Sequence, residues 1–140
     1  MHYRLRFLAL AALVGVCATC DSRHSPAAFY LPAGSVDRGE KAFVNLGCHS
    51  CHEMSGAPTP APYVHPVVPV KLGGRIDRRL SDAYIVTSLL EPSYQLAPYP
   101  LGQITSDGKS RMPCYAEKMT TQQMIDLVAF LQSRYRPGRW

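Results

Sequence analysis

Cys48-His49-Ser50-Cys51-His52 is the stretch on which the reading of this chain turns. Two cysteines three positions apart with a histidine directly behind them fit three chemistries. The thiols can add to the two vinyl groups of one porphyrin, forming thioethers, while the histidine meets the iron, as in c-type haem attachment. Cys48 and Cys51 with His52 or His65 can hold zinc, and a C-x-x-C pair can be a redox dithiol. Zinc would need a fourth ligand at a matching spacing, and the chain carries no second C-x-x-C and no H-x-x-x-H. A thioredoxin-like dithiol would need βαβ units, and no strand-like alternation of any length is visible. Haem attachment is therefore the favoured reading.

Upstream of this run the chain reads as exported. Arg4 and Arg6 stand without an acid before a ten-residue apolar run, Phe7 to Val16. That run is too short to span a bilayer and has the length and flanks of a secretory signal. It leads into Cys17-Ala18-Thr19-Cys20-Asp21-Ser22, which resembles a bacterial lipoprotein cleavage site. Residues 1–19 are thus expected to be a signal peptide, with Cys20 the lipidated first residue of the mature chain. Ordinary cleavage nearby, giving a soluble periplasmic protein, is the alternative. Residues 20–35, rich in Ser, Pro, Ala and Gly, read as a tether. The folded domain is then 36–136, and 137–140 a tail.

Size and charge narrow the functions further. The whole chain has 140 residues and a formal charge of +5, which fits one small domain and excludes a multidomain enzyme. Cleavage before Cys20 leaves 121 residues with thirteen basic and ten acidic side chains, so the mature protein is only mildly basic. Nucleic acid is not an expected partner. A domain of about one hundred residues buries a limited share of its surface, and a covalently held cofactor that adds core would be useful to it.

Helices are expected where caps and periodicity coincide. Ser35 or Asp37 can cap a helix over about 36–46 with Val36, Phe43, Val44 and Leu46 apolar, ending at Gly47. Ser81 can cap a second over about 82–90, stopped by Pro92. The last helix has Thr120 and Gln123 as a capping box and Met119 with Met124 as a hydrophobic staple. Its stripe is Met124, Leu127, Val128, Leu131 and Tyr135. Five prolines between Met54 and Val70 make that stretch a stiff loop. Residues 92–118, with four prolines and two glycines, read as a second long loop. Two such loops need something to wrap around.

Taken jointly, these residues resemble a class I cytochrome c over about 36–136. Gly39 and Phe43 resemble the small and aromatic residues by which that family's first helix crosses its last, and Leu127 and Phe130 their partners. Gly74-Arg75 resembles a pair near the haem propionates, and Ser110-Arg111-Met112-Pro113 the segment bearing the methionine ligand. Met112 lies sixty residues after His52. The resemblance implies an all-α fold, three to four short helices and long loops wrapped around one haem held by Cys48 and Cys51. It also implies that a proline carbonyl orients His52. This chain has no Gly-Pro, only Pro66 and Pro69 ahead of Leu72, and its only tryptophan is Trp140 at the end.

For the sixth ligand Met112 is the choice, because it sits in a loop and the following Pro113 holds its backbone extended. Met54 is two residues past His52, too close to wrap around, and Met119 and Met124 belong to the helix staple. His65, in the stiff loop, is the runner-up. Cys114, two residues past Met112, has no assigned role.

Three functions follow in order. The first is a periplasmic carrier of single electrons, since iron with both axial positions filled has no open site for substrate. The second is the haem subunit of a larger oxidoreductase, for example in sulfur-compound oxidation. The third is a five-coordinate gas sensor. Lys71, Arg75, Arg78, Arg79, Lys109, Arg111 and Lys118 flank the haem-contacting segments and could steer an acidic redox partner. The chain shows no nucleophile-base set and no paired carboxylates, so no catalytic residue is expected.

Overall fold

The computed structural model describes residues 29–64, 66, 68, 70–77 and 79–137. The expected signal peptide, Cys17, Cys20, His65, Pro69, Arg78 and Trp140 lie outside the described residues. Four helices and a few very short strands make up the described part. Helix α1 is Val36–Asn45, α2 Asp82–Leu90, α3 Leu101–Ile104 and α4 Thr121–Arg134. A single 3-10 turn, Cys48–Ser50, follows α1. Among the described residues no helix is long and apolar enough to cross a membrane.

Each long helix starts where a side chain satisfies the first free amides. Ser35 accepts from the Arg38 amide, Ser81 from the Tyr84 amide, and Thr120 and Gln123 form the reciprocal capping box at 3.1 and 2.8 Å. Met119 and Met124 both pack against the core from the ends of that box. The core itself is the crossing of α1 and α4. Phe43, Leu127 and Phe130 are its fully buried side chains, and the Phe43 and Phe130 rings meet 5.7 Å apart at a tilt of 52°. Each such aromatic contributes about 2–3 kcal/mol by leaving water. Gly39 makes the crossing possible, because a Cβ built there would overlap the Asp126 carbonyl and the Phe130 Cβ.

Asp126 is the buried charge of that crossing, 2% exposed. Its carboxylate accepts the Arg38 guanidinium through Nε at 2.7 Å and Nη2 at 3.1 Å, the Ser35 amide at 2.7 Å and the Gln122 amide at 3.0 Å. Those donors, Arg38 first, hold it down to about 2. The network ties residues just before α1 to the middle of α4. Leu31 joins the same docking, packing on the core with its amide 3.5 Å from the Asp82 carboxylate. The end of the expected tether is thus laid against the domain.

Strands occur where the sequence showed none. β1, Gly74–Ile76, pairs in parallel with β4, Tyr135–Pro137, in the register Gly74 to Tyr135. Tyr135 therefore leaves the helix it was expected to finish and turns extended as the C-cap of α4. The 92–118 loop also holds structure. After α3, β2 (Thr105–Ser106) and β3 (Lys109–Ser110) form an antiparallel hairpin. Its turn is Asp107-Gly108, both at positive φ, the chemistry of a two-residue hairpin loop. Strands of two or three residues are too short to show alternation, which is why no periodicity announces them.

Candidate cofactor site

The C-x-x-C-H run is shaped by the end of α1. Gly47 adopts φ 73°, the left-handed conformation that terminates a helix and that a residue with a Cβ takes only with strain. Its amide closes on the Val44 carbonyl at 3.0 Å. The chain then tightens into the 3-10 turn, with the Cys51 and His52 amides both reaching the Cys48 carbonyl at 3.3 and 3.0 Å. Side chains three apart eclipse in such a turn, so Cys48 and Cys51 come to one side. Both line the same cavity, as does His52.

This cavity, about 340 Å³, lies in the size range of cofactor sites and is walled mainly by apolar groups. Phe43, Leu127 and Leu131 reach it from the helix crossing, and Ile85 and Leu89 from α2. Val68, Val70 and Leu72 come from the proline-rich segment, Met112 and Pro113 from the segment after β3. The proline-rich segment is pinned where it returns. The Leu72 amide donates to the Glu53 carbonyl at 2.9 Å and the Ser55 amide to the Leu72 carbonyl at 2.8 Å, beside the buried Met54. Pinned in this way, the segment presents the Val70 carbonyl to His52 Nδ1 at 2.9 Å.

That hydrogen bond fixes the histidine's tautomer. A carbonyl only accepts, so Nδ1 carries the proton and Nε2 keeps its lone pair free to bind a metal. The acceptor is Val70, where the resemblance implied a proline carbonyl from Pro66 or Pro69. Pro66 is described and lines the cavity, while Pro69 lies outside the described residues. A backbone oxygen does not depend on its own side chain. The prolines stiffen the approach, and the next residue supplies the acceptor.

The donor set suits a porphyrin. Two thiols on one face, an imidazole with one nitrogen free and a thioether share one apolar cavity. Among the described residues no three His, Cys, Asp or Glu side chains converge on a metal position. A redox dithiol is disfavoured. Burial pushes the Cys48 thiol up to about 11, against the low values that make a thiolate nucleophilic.

Not every expected residue reaches this site. Arg75 is the outward position of β1, exposed between half-buried Gly74 and Ile76, and is not part of the cavity lining. Among the described residues the cations that line it are Lys71 and Arg111. Lys71 is paired with Glu53 at 3.1 Å, an exposed contact worth about 0–1 kcal/mol. His49 is turned elsewhere, its ring edge-on to Tyr63 at 5.8 Å. Cys114 is exposed, and its thiol donates to the Leu90 carbonyl at 2.9 Å near the end of α2.

Two residues enter that the sequence did not single out. Tyr115 is buried in the cavity wall beside Cys48, and burial drives its phenol up to about 12. The Val70 carbonyl is the other. An aromatic three residues past Met112 was a usable signal for Tyr115, whereas nothing marks one carbonyl among many.

The family model described as Cytochrome c matches residues 36–134, from the first residue of α1 to the last of α4. No curated protein and no solved structure matches the chain.

Proposed function

The chain belongs to the cytochrome c family, and from that premise we propose that it moves single electrons in the periplasm through a haem c whose iron is held by His52 and Met112. The family binds haem covalently through cysteines, and Cys48 and Cys51 carry the spacing for it. The observation that carries the ligand reading is the hydrogen bond from His52 Nδ1 to Val70, which leaves Nε2 as the free nitrogen in the cavity that Met112 also lines. When bound, haem c supplies reversible one-electron chemistry at its iron.

The chain's own residues set the terms of that chemistry. The Val70 carbonyl orients His52 and raises its basicity. A thioether from Met112 favours the ferrous state over what a second histidine would give. Phe43, Leu89, Leu127 and Leu131 keep water from the cavity. Arg111, exposed at its rim, and Lys109 on β3 offer positive charge to an acidic partner, with a docking rate that falls as salt rises.

A second reading, a haem subunit of a larger oxidoreductase, draws on Tyr94, Tyr99 and Leu101. These are 80%, 40% and 62% exposed on the segment leading to cavity-lining Gln103 and Ile104, where a protein partner could cover them. Co-purification with a catalytic subunit favours this reading over a free carrier.

The test is a pyridine haemochrome spectrum of the protein from the periplasmic fraction, followed by carbon monoxide added to the ferrous form. A c-type signal and no carbon monoxide binding are expected. Binding by the untreated protein would make it five-coordinate, and absence of a c-type signal would remove the proposal.

A further inference from the structure

The segment that bears Met112 has little burial to hold it. Met112 is half-buried, and Arg111, Pro113 and Cys114 around it are exposed. Hydrogen bonds do the holding. The Met112 amide donates to Ser110 Oγ at 3.1 Å, and the Ser110 amide donates to Ser93 Oγ at 3.1 Å. Between them the Arg111 amide reaches the Ile104 carbonyl at 2.9 Å. Downstream, the Tyr115 amide takes the Leu89 carbonyl at 2.9 Å and the Cys114 thiol the Leu90 carbonyl, two acceptors from the last turn of α2. Pro113 has no amide to give.

Met112 is thus suspended between two anchored points. On the downstream side the anchors belong to α2. On the upstream side the amide of Met112 itself hangs on a serine hydroxyl, and that serine hangs on a second one seventeen residues earlier. We infer that Ser110, with Ser93 behind it, is a positioning residue that sets how readily the Met112 sulfur leaves the haem iron. The inference rests on the reading of Met112 as sixth ligand.

The consequence is measurable as a competition. An external ligand such as imidazole binds only the fraction of molecules in which the sulfur has swung away, so its apparent affinity scales with that fraction. Losing one hydrogen bond to the Met112 amide raises the fraction about 2- to 10-fold. Global unfolding should shift by no more than the same factor, because the α1/α4 crossing is untouched.

The experiment titrates ferric holoprotein with imidazole while following the far-red sulfur-to-iron absorption band. Ser110→Ala is expected to lower the half-saturating imidazole concentration about 2- to 10-fold. Ser93→Ala should lower it by a smaller factor and Ser110→Thr should restore the native value. Ser133→Ala removes a comparable hydroxyl bond, 2.6 Å to the Phe130 carbonyl, far from this segment, and should titrate as the native protein. An unchanged midpoint for both Ser110→Ala and Ser93→Ala overturns the inference, as does an equal shift in Ser133→Ala. Met112→Ala separates the two levels. If it keeps the band, the ligand reading fails; if it loses the band while both serine variants titrate normally, only the positioning role fails.

Discussion

The α1/α4 crossing and the Met112 segment meet at one cavity but are held by different forces. At the crossing, Phe43, Leu127 and Phe130 are fully buried, and the charge enclosed there, Asp126, has its donors supplied by Arg38, Ser35 and Gln122. From residue 92 to 118 only Pro92 and Tyr115 are buried, and the chain around Met112 is fixed by individual hydrogen bonds to Ser110, Ile104 and the end of α2. The side that presents Cys48, Cys51 and His52 follows directly from the packed crossing. The side that presents Met112 does not. Stability and iron coordination should therefore separate: changes at the crossing unfold the protein, and changes near Met112 alter the iron while leaving the fold in place.

The hardest blow to this contrast falls on Gly39. Gly39→Ala gains about 1 kcal/mol of helix propensity. It also drives a methyl group into the Asp126 carbonyl and the Phe130 Cβ, an overpacking cost of about 3 kcal/mol. Chemical denaturation should show a net loss of about 2 kcal/mol. The far-red band of the molecules still folded should be native. A spectral change without loss of stability would dissolve the distinction between the two regions.

Acid titration probes the same crossing more gently. Asp126 is lowered from 3.8 to about 2 in the folded state by Arg38 and by the Ser35 amide. A carboxyl depressed on folding adds stability that is complete above its unfolded value and is lost as pH falls through its folded value. The protein should thus lose stability between pH about 4 and about 2. Asp126→Asn should be less stable at neutral pH and show a flatter loss over that window, measured by urea unfolding at successive pH values. An unchanged slope would mean that the carboxylate is not what closes the crossing. Smallest in stability are the changes near Met112. Ser110→Ala and Ser93→Ala should each lose no more than one hydrogen bond's worth, about 0.5–1.5 kcal/mol, in the same assay.

What could be read in advance follows this division as well. The capping residues Ser35, Ser81, Thr120 and Gln123 were legible because a cap is a local event, decided within four residues. Cys48, Cys51 and His52 were legible because their chemistry requires a fixed spacing. Phe43 and Leu127 were legible as apolar positions of their helices, and their meeting, with Gly39 and Phe130, came through a family resemblance. The β1–β4 pairing joins Gly74 to Tyr135 across sixty residues, and no local pattern encodes it. The Asp107-Gly108 hairpin was available from its turn dipeptide, but two-residue strands offer nothing else to read. Arg75 takes the outward side of a strand whose existence the sequence did not reveal. Asp126 sits inside an apolar stripe, and its meaning depends on Arg38, which is 88 positions away.

The reduction potential of Met112→His against the native protein tests the account most directly. The native potential should lie well above that of the variant, because exchanging a thioether for a second imidazole removes the preference for ferrous iron. An unchanged potential in a variant that still carries its haem would contradict the proposal that Met112, with His52, would hold the iron.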